Sequence, residues 1–162
     1  MKMTLCAASL CLVTVSVAEA QSLIASAGFI DFSLEKAEDA AVFELEYVAA
    51  PSWSLFDFET GWNVLGRFDS EDGAYIGAGL LGKRDFAEDW FVELSLMPGY
   101  YDEGRPENDL GHEIEFRSMA GIGRTIGEGR AVSLAVSHIS NARLSSVNPG
   151  ANAVHLRFHF DF

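Results

Sequence analysis

The sequence predicts an all-β protein: an eight-stranded antiparallel transmembrane β-barrel that follows an N-terminal signal peptide. Three observations predict this fold. The chain begins with a short apolar stretch typical of exported proteins. Apolar and polar side chains then alternate with a period of two, which indicates strands with two different faces. Most of the alternating runs reach the about 9–11 residues that a membrane-spanning strand needs, whereas soluble strands commonly have about 5–6.

Residues 1–20 are predicted to be a cleaved signal peptide. Lys2 supplies a positive charge at the start, and residues 3–18 carry no charge. The Ala-Glu-Ala sequence at 18–20 fits a small-x-small cleavage site, so Gln21 is the predicted mature N-terminus. The uncharged stretch is shorter than the about 20 residues of a spanning helix. An uncleaved membrane anchor is therefore the less favoured alternative.

The composition excludes two broad classes of protein. The 162 residues include 24 acidic and 11 basic side chains, a formal net charge of −13. Because phosphate binding needs a basic face, this charge argues against a nucleic-acid partner. The contents of 49% hydrophobic and 12% aromatic residues are too high for a disordered acidic chain. Both cysteines, Cys6 and Cys11, lie in the signal peptide, so the mature chain is predicted to need neither disulfides nor a thiolate metal site.

Eight strands are predicted in the single mature domain at 21–162. Connections rich in glycine or charge separate them, at 35–41, 67–73, 102–112, 126–129 and 141–151. The predicted strands are, in order, 23–34, 42–50, 54–66, 74–83, 90–101, 113–125, 130–140 and 152–162.

Alternation within the strands supports these assignments. In the second strand, Phe43, Leu45 and Tyr47 alternate with Glu44 and Glu46. The first and fourth strands are predicted from the positions of the connections on either side of them. The alternating apolar residues are Phe56, Phe58 and Trp62 in the third strand and Trp90, Val92, Leu94 and Leu96 in the fifth. They are Ile114 and Phe116 in the sixth strand and Val132, Leu134 and Val136 in the seventh. In the eighth strand they are Val154, Leu156, Phe158, Phe160 and Phe162.

The C-terminal strand favours a membrane barrel over a soluble β-sandwich. Phe158, Phe160 and Phe162 place an aromatic side chain at every second position up to the last residue. A soluble protein gains little from three phenylalanines at a fraying terminus. The pattern resembles the C-terminal assembly signal of bacterial outer-membrane barrels. We therefore expect the protein to be exported through its signal peptide and to reside in the bacterial outer membrane.

In such a barrel the apolar rows face lipid and the charged rows face inward. Side chains fill the interior of an eight-stranded barrel, so we expect an inward charge network, with a proton or ion path as the alternative. The predicted inward set is Glu44, Glu46, Asp57, Glu59, Glu93, Glu113, Glu115, Arg117, His155, Arg157 and His159. Aromatic residues near strand ends are expected to form interfacial girdles, with core packing as the alternative: Trp53, Trp62, Trp90, Tyr100 and Tyr101.

The topology follows from the usual start and finish of bacterial barrels in the periplasm. The connections at 35–41, 67–73, 102–112 and 141–151 then face outward. The connections at 50–53 and 126–129 are as short as periplasmic turns should be, and the one at 84–89 is longer than ideal.

One group of polar residues interrupts an apolar row of the seventh strand. His138 and Ser140 continue the lipid-facing row near its outer end. Asn152 begins the corresponding row of the eighth strand, and a tight hairpin would bring it beside His138. These residues would then meet on the outer wall, at the depth of the lipid headgroups. Since polar residues at the interface cost only about 0–1 kcal/mol, ordinary rim residues are the alternative interpretation.

The motif His138-Ile139-Ser140-Asn141-Ala142, followed by Asn148-Pro149-Gly150, closely resembles that of the lipid A 3-O-deacylase (PagL) family of outer-membrane barrels. The resemblance implies that Ser140 is the nucleophile, that His138 is the general base and that Asn141 belongs to the oxyanion site. It also implies an acid at the position of Asn152, which would complete the triad. No cofactor and no metal are implied.

The chain departs from the family pattern at the acid position. Asn152 carries no charge, and no Asp or Glu occurs between Ala131 and Phe160. An amide oxygen can still orient the histidine, as in the Cys-His-Asn arrangement of papain-like enzymes. A carboxylate from another strand is the other candidate for this role.

The resemblance implies hydrolysis of the ester-linked 3-hydroxyacyl chain at the 3-position of lipid A. An outward-facing site suits this substrate, because lipid A lies in the outer leaflet beside the barrel wall. The expected partners are lipid A or lipopolysaccharide and the outer membrane, with a homodimer as a candidate assembly. Three alternatives stay open: a catalytically degenerate structural or adhesive barrel, a soluble periplasmic β-sandwich that binds a ligand, and a different lipid A-modifying barrel such as an acyltransferase.

Overall fold

The computed structural model describes residues 21–34 and 37–162 and is built almost entirely of β-strands. The predicted signal peptide, 1–20, lies outside the described residues. In the described part of the chain, no helix combines the length and hydrophobicity needed to cross a membrane. One turn of 3-10 helix occupies Pro106–Asn108. The strands are β1 (Ser22–Phe32), β2 (Ala40–Val48), β3 (Trp53–Leu55), β4 (Phe58–Asp69), β5 (Ala74–Asp85), β6 (Trp90–Asp102), β7 (Ile114–Gly127), β8 (Arg130–Ser140) and β9 (Ala151–Asp161).

Eight long strands close into a ring in which every neighbouring pair is antiparallel. Consecutive long strands pair around the ring, with β2 paired directly to β4, and β1 closes it against β9 from Ser22↔Asp161 to Phe32↔Ala151. Closure pairs the backbone groups that an open sheet would leave exposed at its edges, which a membrane requires. The prediction of an eight-stranded antiparallel barrel is confirmed.

The predicted third strand, 54–66, is wrong at its start. The chain instead forms a small hairpin in which β3 pairs with the beginning of β4, with Trp53 opposite Thr60. Phe56 and Asp57 make the turn with φ values of 51° and 64°. A two-residue turn with positive φ joins antiparallel strands tightly. Because such a turn leaves the alternation of polar and apolar residues uninterrupted, the period of two does not distinguish it from one long strand.

The outer wall of the barrel is apolar. Trp62 of β4 and Leu96 of β6 are each 60% exposed, whereas their sequence neighbours are buried. The exposed apolar row of the C-terminal strand, Val154, Leu156, Phe158 and Phe160, runs along most of its length. Exposure of this much apolar surface is the expected state of a wall that faces lipid.

The interior holds a charged network at its centre. Arg157 donates to Glu46 and to Glu93 at 3.0 Å each, and Arg117 donates to Glu44 at 2.9 Å. Because buried charges are costly unless paired, these contacts fix the inward orientation of the charged rows. The inward prediction is confirmed for the buried residues Glu44, Glu46, Glu93, Glu115, Arg117, His155, Arg157 and His159.

Three members of the predicted inward set are wrong. Asp57 lies in the β3–β4 turn, Glu59 lies beside that turn, and Glu113 precedes β7; all three are exposed. They lie at or beyond strand ends, where alternation no longer fixes the direction of a side chain. Tyr101 was expected in an aromatic girdle but is buried, and its hydroxyl donates to the Asn108 carbonyl at 3.0 Å.

The two ends of the barrel differ. One end, here called the terminal end, holds Gln21, Phe162 and the turns at 86–89 and 128–129. The other, the loop end, carries the connections 33–39, 70–73, 103–113 and 141–150. At the loop end the interior is filled by an apolar cluster that includes Leu110, which folds inward from its loop and is fully buried. A polar site at this end is therefore accessible from the outer wall rather than from the interior.

Candidate active site

Three of the sequence-predicted residues, His138, Ser140 and Asn152, lie on the outer wall at the loop end. His138 of β8 is directly opposite Asn152 of β9, and His138 Nδ1 lies 2.9 Å from Asn152 Oδ1. Both residues are exposed, while their neighbours Ser137 and Ala153 point into the barrel. The antiparallel pairing of β8 with β9 gives this register, so the structure brings together the pair that the hairpin pattern predicts.

The hydrogen bond defines the protonation pattern of the imidazole. An amide oxygen is only an acceptor, so Nδ1 must carry the proton that it donates to Asn152. In the neutral imidazole, Nε2 then keeps its lone pair. A neutral histidine with a fixed Nδ1–H and a free Nε2 is the arrangement that a general base requires.

Ser140 lies two residues beyond His138 on the same face of β8. It is partly exposed and is paired across the sheet with Phe116. Within the described chain, no hydrogen bond joins its hydroxyl to His138. Residues two apart on a strand are about 6.6 Å apart between Cα atoms, and catalytic hydrogen bonds are often long in the absence of substrate. The structure thus brings Ser140 and His138 to one surface without joining them.

The side chain of Asn141 turns away from this surface. It is fully buried, and its Nδ2 group donates to the carbonyl oxygens of Leu110 at 3.0 Å and Val147 at 2.7 Å. Its Oδ1 accepts from the backbone N–H of Arg143 at 3.0 Å. These contacts tie the 141–150 connection to the 103–113 connection. The oxyanion role expected for Asn141 stays a prediction, and this amide would have to leave three hydrogen bonds to perform it.

The backbone of Gly150 lies close to the imidazole ring of His138. Its φ is +72°, and a Cβ atom added there would lie 2.8 Å from His138 Cε1 and 3.3 Å from Nε2. Only glycine adopts this conformation readily and leaves room for the ring. The glycine in the Pro149-Gly150 turn of the sequence motif therefore allows the imidazole to lie against the backbone.

Two further polar residues extend the site to a row across four strands. Ser118 of β7 is directly opposite His138, and Asp31 of β1 is directly opposite Asn152. Both are exposed on the outer face. Sequence reasoning missed them because neither belongs to the motif. Only the cross-strand register, which joins β1 to β9 across almost the whole chain, could have found Asp31.

An apolar groove runs beside this row. It has a volume of about 490 Å³, and its floor and walls include Phe29, Met119, Ala120, Val136 and Val154. His138, Asn152 and Asp31 lie at its polar end. Among the described residues, no group of three or more His, Cys, Asp or Glu is arranged to hold a metal ion. The groove has the shape and polarity to hold a hydrocarbon chain with its polar end against the histidine.

A closed eight-stranded barrel with an apolar wall is the architecture of bacterial outer-membrane proteins, and a histidine with a free Nε2 beside two serines suits an ester hydrolase of that class. The chain belongs to the lipid A 3-O-deacylase (PagL) family, whose model matches residues 42–161. The family and the barrel fold together indicate the bacterial outer membrane. Among curated protein sequences, none matches the chain.

Solved structures agree with this fold. The outer-membrane enzyme PagL matches with a TM-score of 0.73 and 17% identity, covering 86% of this chain and 98% of that one. A de novo designed transmembrane β-barrel matches with a TM-score of 0.58 and 10% identity, over 89% and 96% of the two chains. Neisserial surface protein A matches with a TM-score of 0.53 and 11% identity, over 88% and 96%. At these identities the likeness concerns the fold alone.

Proposed function

We propose that the chain hydrolyses the ester-linked 3-hydroxyacyl chain at the 3-position of lipid A, with Ser140 as nucleophile and His138 as general base. The single observation that carries the proposal is the His138–Asn152 hydrogen bond on the outer wall, in a chain of the lipid A 3-O-deacylase family. The site lies at the polar end of an apolar groove. Such a groove suits a substrate that is itself a component of the membrane.

The proposed reaction is acyl transfer to serine and then to water. Ser140 Oγ attacks the ester carbonyl carbon while His138 Nε2 takes the hydroxyl proton. When the bond between the carbonyl carbon and the sugar oxygen breaks, His138 returns this proton to the departing sugar oxygen. Water then gives a proton to His138 Nε2 and attacks the carbonyl carbon of the acyl-serine. The bond from this carbon to Ser140 Oγ breaks, and His138 returns the proton to Ser140 Oγ. The products are a free 3-hydroxy fatty acid and lipid A with a hydroxyl at the 3-position.

In the tetrahedral intermediate the former carbonyl oxygen is negatively charged, and hydrogen-bond donors must stabilise this charge. We propose that backbone N–H groups of the turn that follows Ser140 supply them, together with Asn141 if its amide is released from the loop. Ala142, with a φ of 51°, begins this turn, and its N–H makes no hydrogen bond within the described chain. Because the N–H of Asn141 donates to Asn148 Oδ1, that of Ala142 is the first after Ser140 without a partner in the described chain.

Mass spectrometry of lipid A tests the proposal. Cells that produce the wild-type protein or the Ser140→Ala variant are compared, with barrel folding in the outer membrane confirmed for both. We expect loss of one 3-hydroxyacyl mass with the wild type and unchanged lipid A with Ser140→Ala. Removal of a catalytic serine leaves only the residual rate supplied by the rest of the site, about 10³–10⁴ over water in serine proteases.

Ser118→Ala is the matched variant for the same experiment, because Ser118 is the other serine beside His138 on the outer face. If Ser140 is the nucleophile, Ser118→Ala retains deacylation. The reverse result would move the nucleophile to β7.

A catalytically degenerate barrel is the second candidate function, and the uncharged Asn152 favours it. In a serine protease, Asp→Asn at the corresponding position lowers kcat by about 10⁴. Unchanged lipid A in cells with folded wild-type protein would support a structural or adhesive barrel and would overturn the hydrolase.

A further inference from the structure

The histidine of the site lacks an adjacent carboxylate. When His138 accepts a proton it becomes positively charged, and the group that faces its Nδ1 is a neutral amide. An amide can orient an imidazole, but it does not supply the charge that stabilises an imidazolium. The motif strands cannot supply it either, since no Asp or Glu occurs from Ala131 to Phe160. Any carboxylate must therefore come from a neighbouring strand.

Asp31 is the carboxylate that the barrel register brings nearest to this pair. It is the direct cross-strand partner of Asn152, on the side of β9 opposite to His138. All three residues are exposed on the outer face and lie around one end of the same groove. Directly opposed residues have Cβ atoms about 4.5–5.5 Å apart. The order across the wall is thus histidine, amide, carboxylate.

The orientation of the amide fits this order. Asn152 directs its Oδ1 toward β8, so its Nδ2 group, the other branch of the planar amide, is free to donate toward β1. A carboxylate is an acceptor with two oxygens. Among the described residues, Asp31 makes no ion pair and no side-chain hydrogen bond. The carboxylate and the Nδ2 group are therefore both available to each other.

We propose that Asp31 is a positioning residue that supplies, through Asn152, the negative charge absent from the acid position. Its carboxylate accepts a hydrogen bond from Asn152 Nδ2, and Asn152 Oδ1 accepts the Nδ1–H of His138. The amide keeps both of its protons, so no proton passes along the row. The carboxylate polarises the amide and stabilises the imidazolium that forms when Ser140 is deprotonated. This inference rests on the proposed function.

The expected size of the effect follows from the spacing. Strands lie about 4.8 Å apart, so Asp31 and His138 are two spacings, or about 10 Å, apart. Asp31, Asn152 and His138 are all exposed, and at a water-like dielectric constant of about 80 the direct attraction between two unit charges at this distance changes a rate by only about twofold. The charge-assisted hydrogen bond through the Asn152 amide raises the expected change to about tenfold. The effect should be on kcat, because the charge interacts with the imidazolium and not with bound substrate.

The test measures kcat and KM of the purified full chain, folded in detergent micelles with lipid A. Asp31→Asn should lower kcat about tenfold and leave KM unchanged, and Asp31→Glu, which keeps the charge, should stay near the wild type. Asp102→Asn is the matched control, since Asp102 is an exposed acid at the same end of the barrel on the opposite strand β6. It should leave both constants unchanged.

A second background separates a charge acting through Asn152 from a general surface effect. Asn152→Glu puts a carboxylate directly against His138. Adding Asp31→Asn to Asn152→Glu should therefore lower kcat by less than about twofold. An equal loss in both backgrounds, or no loss in the wild-type background, would overturn the role of Asp31. If the wild type were no more active than Ser140→Ala, the proposed function would fail as well, whereas an active wild type with an unaffected Asp31→Asn would overturn this inference alone.

Discussion

At the scale of single residues, the site depends on what holds the imidazole of His138. Its Nδ1 is fixed by Asn152, and its ring lies against the backbone of Gly150. The sequence motif was sufficient to predict His138 and Ser140 on one face, because alternation along a single strand determines this. It could not reveal that Asn141 is turned into the loop, because that orientation depends on contacts with the carbonyls of Leu110 and Val147.

Gly150→Ala should lower kcat by at least about tenfold. The new Cβ would lie within 3.3 Å of Nε2 and push the ring from its position, and small displacements of a catalytic group can cost about 10²-fold. The left-handed conformation adds about 1–2 kcal/mol of instability.

Gly129→Ala is the matched control for this prediction. Gly129 has a φ of +62° at the opposite end of β8, where its added Cβ would meet Asp161 rather than the site. It should lose similar stability in denaturant unfolding and keep its kcat. Equal loss of activity in the two variants would show that strain alone is responsible.

At the scale of elements, the sequence predicts which residues face each other in a hairpin better than it predicts the pairing that closes the ring. The β8–β9 hairpin has a connection of ten residues and an alternating pattern on both strands, so the sequence could suggest that His138 and Asn152 meet. The β1–β9 pairing joins the two ends of the described chain. No local pattern specifies the register of such a distant pair, and so the neighbour of Asn152 on β1 could be found only in the structure.

The interior network that joins the strands should make Arg157 important for stability. Arg157→Met removes the partner of Glu46 and Glu93 and leaves two buried carboxylates without a cation. Breaking a buried ion pair from one side costs about 3–5 kcal/mol, and denaturant unfolding in detergent should show a loss of this size. Adding Glu46→Gln and Glu93→Gln to Arg157→Met should recover most of it. A single variant as stable as the wild type would mean that the network does not stabilise the barrel.

At the scale of the whole molecule, a charged side chain placed on the apolar wall should destabilise the barrel by an amount that depends on its depth in the membrane. Leu96 lies in the middle of β6, and Tyr100 lies four residues further along the same face, near the loop end. Arginine costs about 2–4 kcal/mol at the bilayer midplane of a transmembrane barrel and about 0–1 kcal/mol near the interface. Leu96→Arg should therefore destabilise the barrel in phospholipid vesicles by about 2–4 kcal/mol, and Tyr100→Arg by less than about 1 kcal/mol.

Denaturant titration of the barrel refolded in vesicles measures both values, and the same titration in detergent micelles provides the comparison. A micelle adapts around a charged side chain more readily than a bilayer does, so the difference between Leu96→Arg and Tyr100→Arg should shrink in micelles. Equal costs at the two positions in vesicles would contradict a wall that crosses the membrane at the level of Leu96. The expectation that His138 and Asn152 lie at headgroup depth, from which lipid A is accessible, would then lose its support.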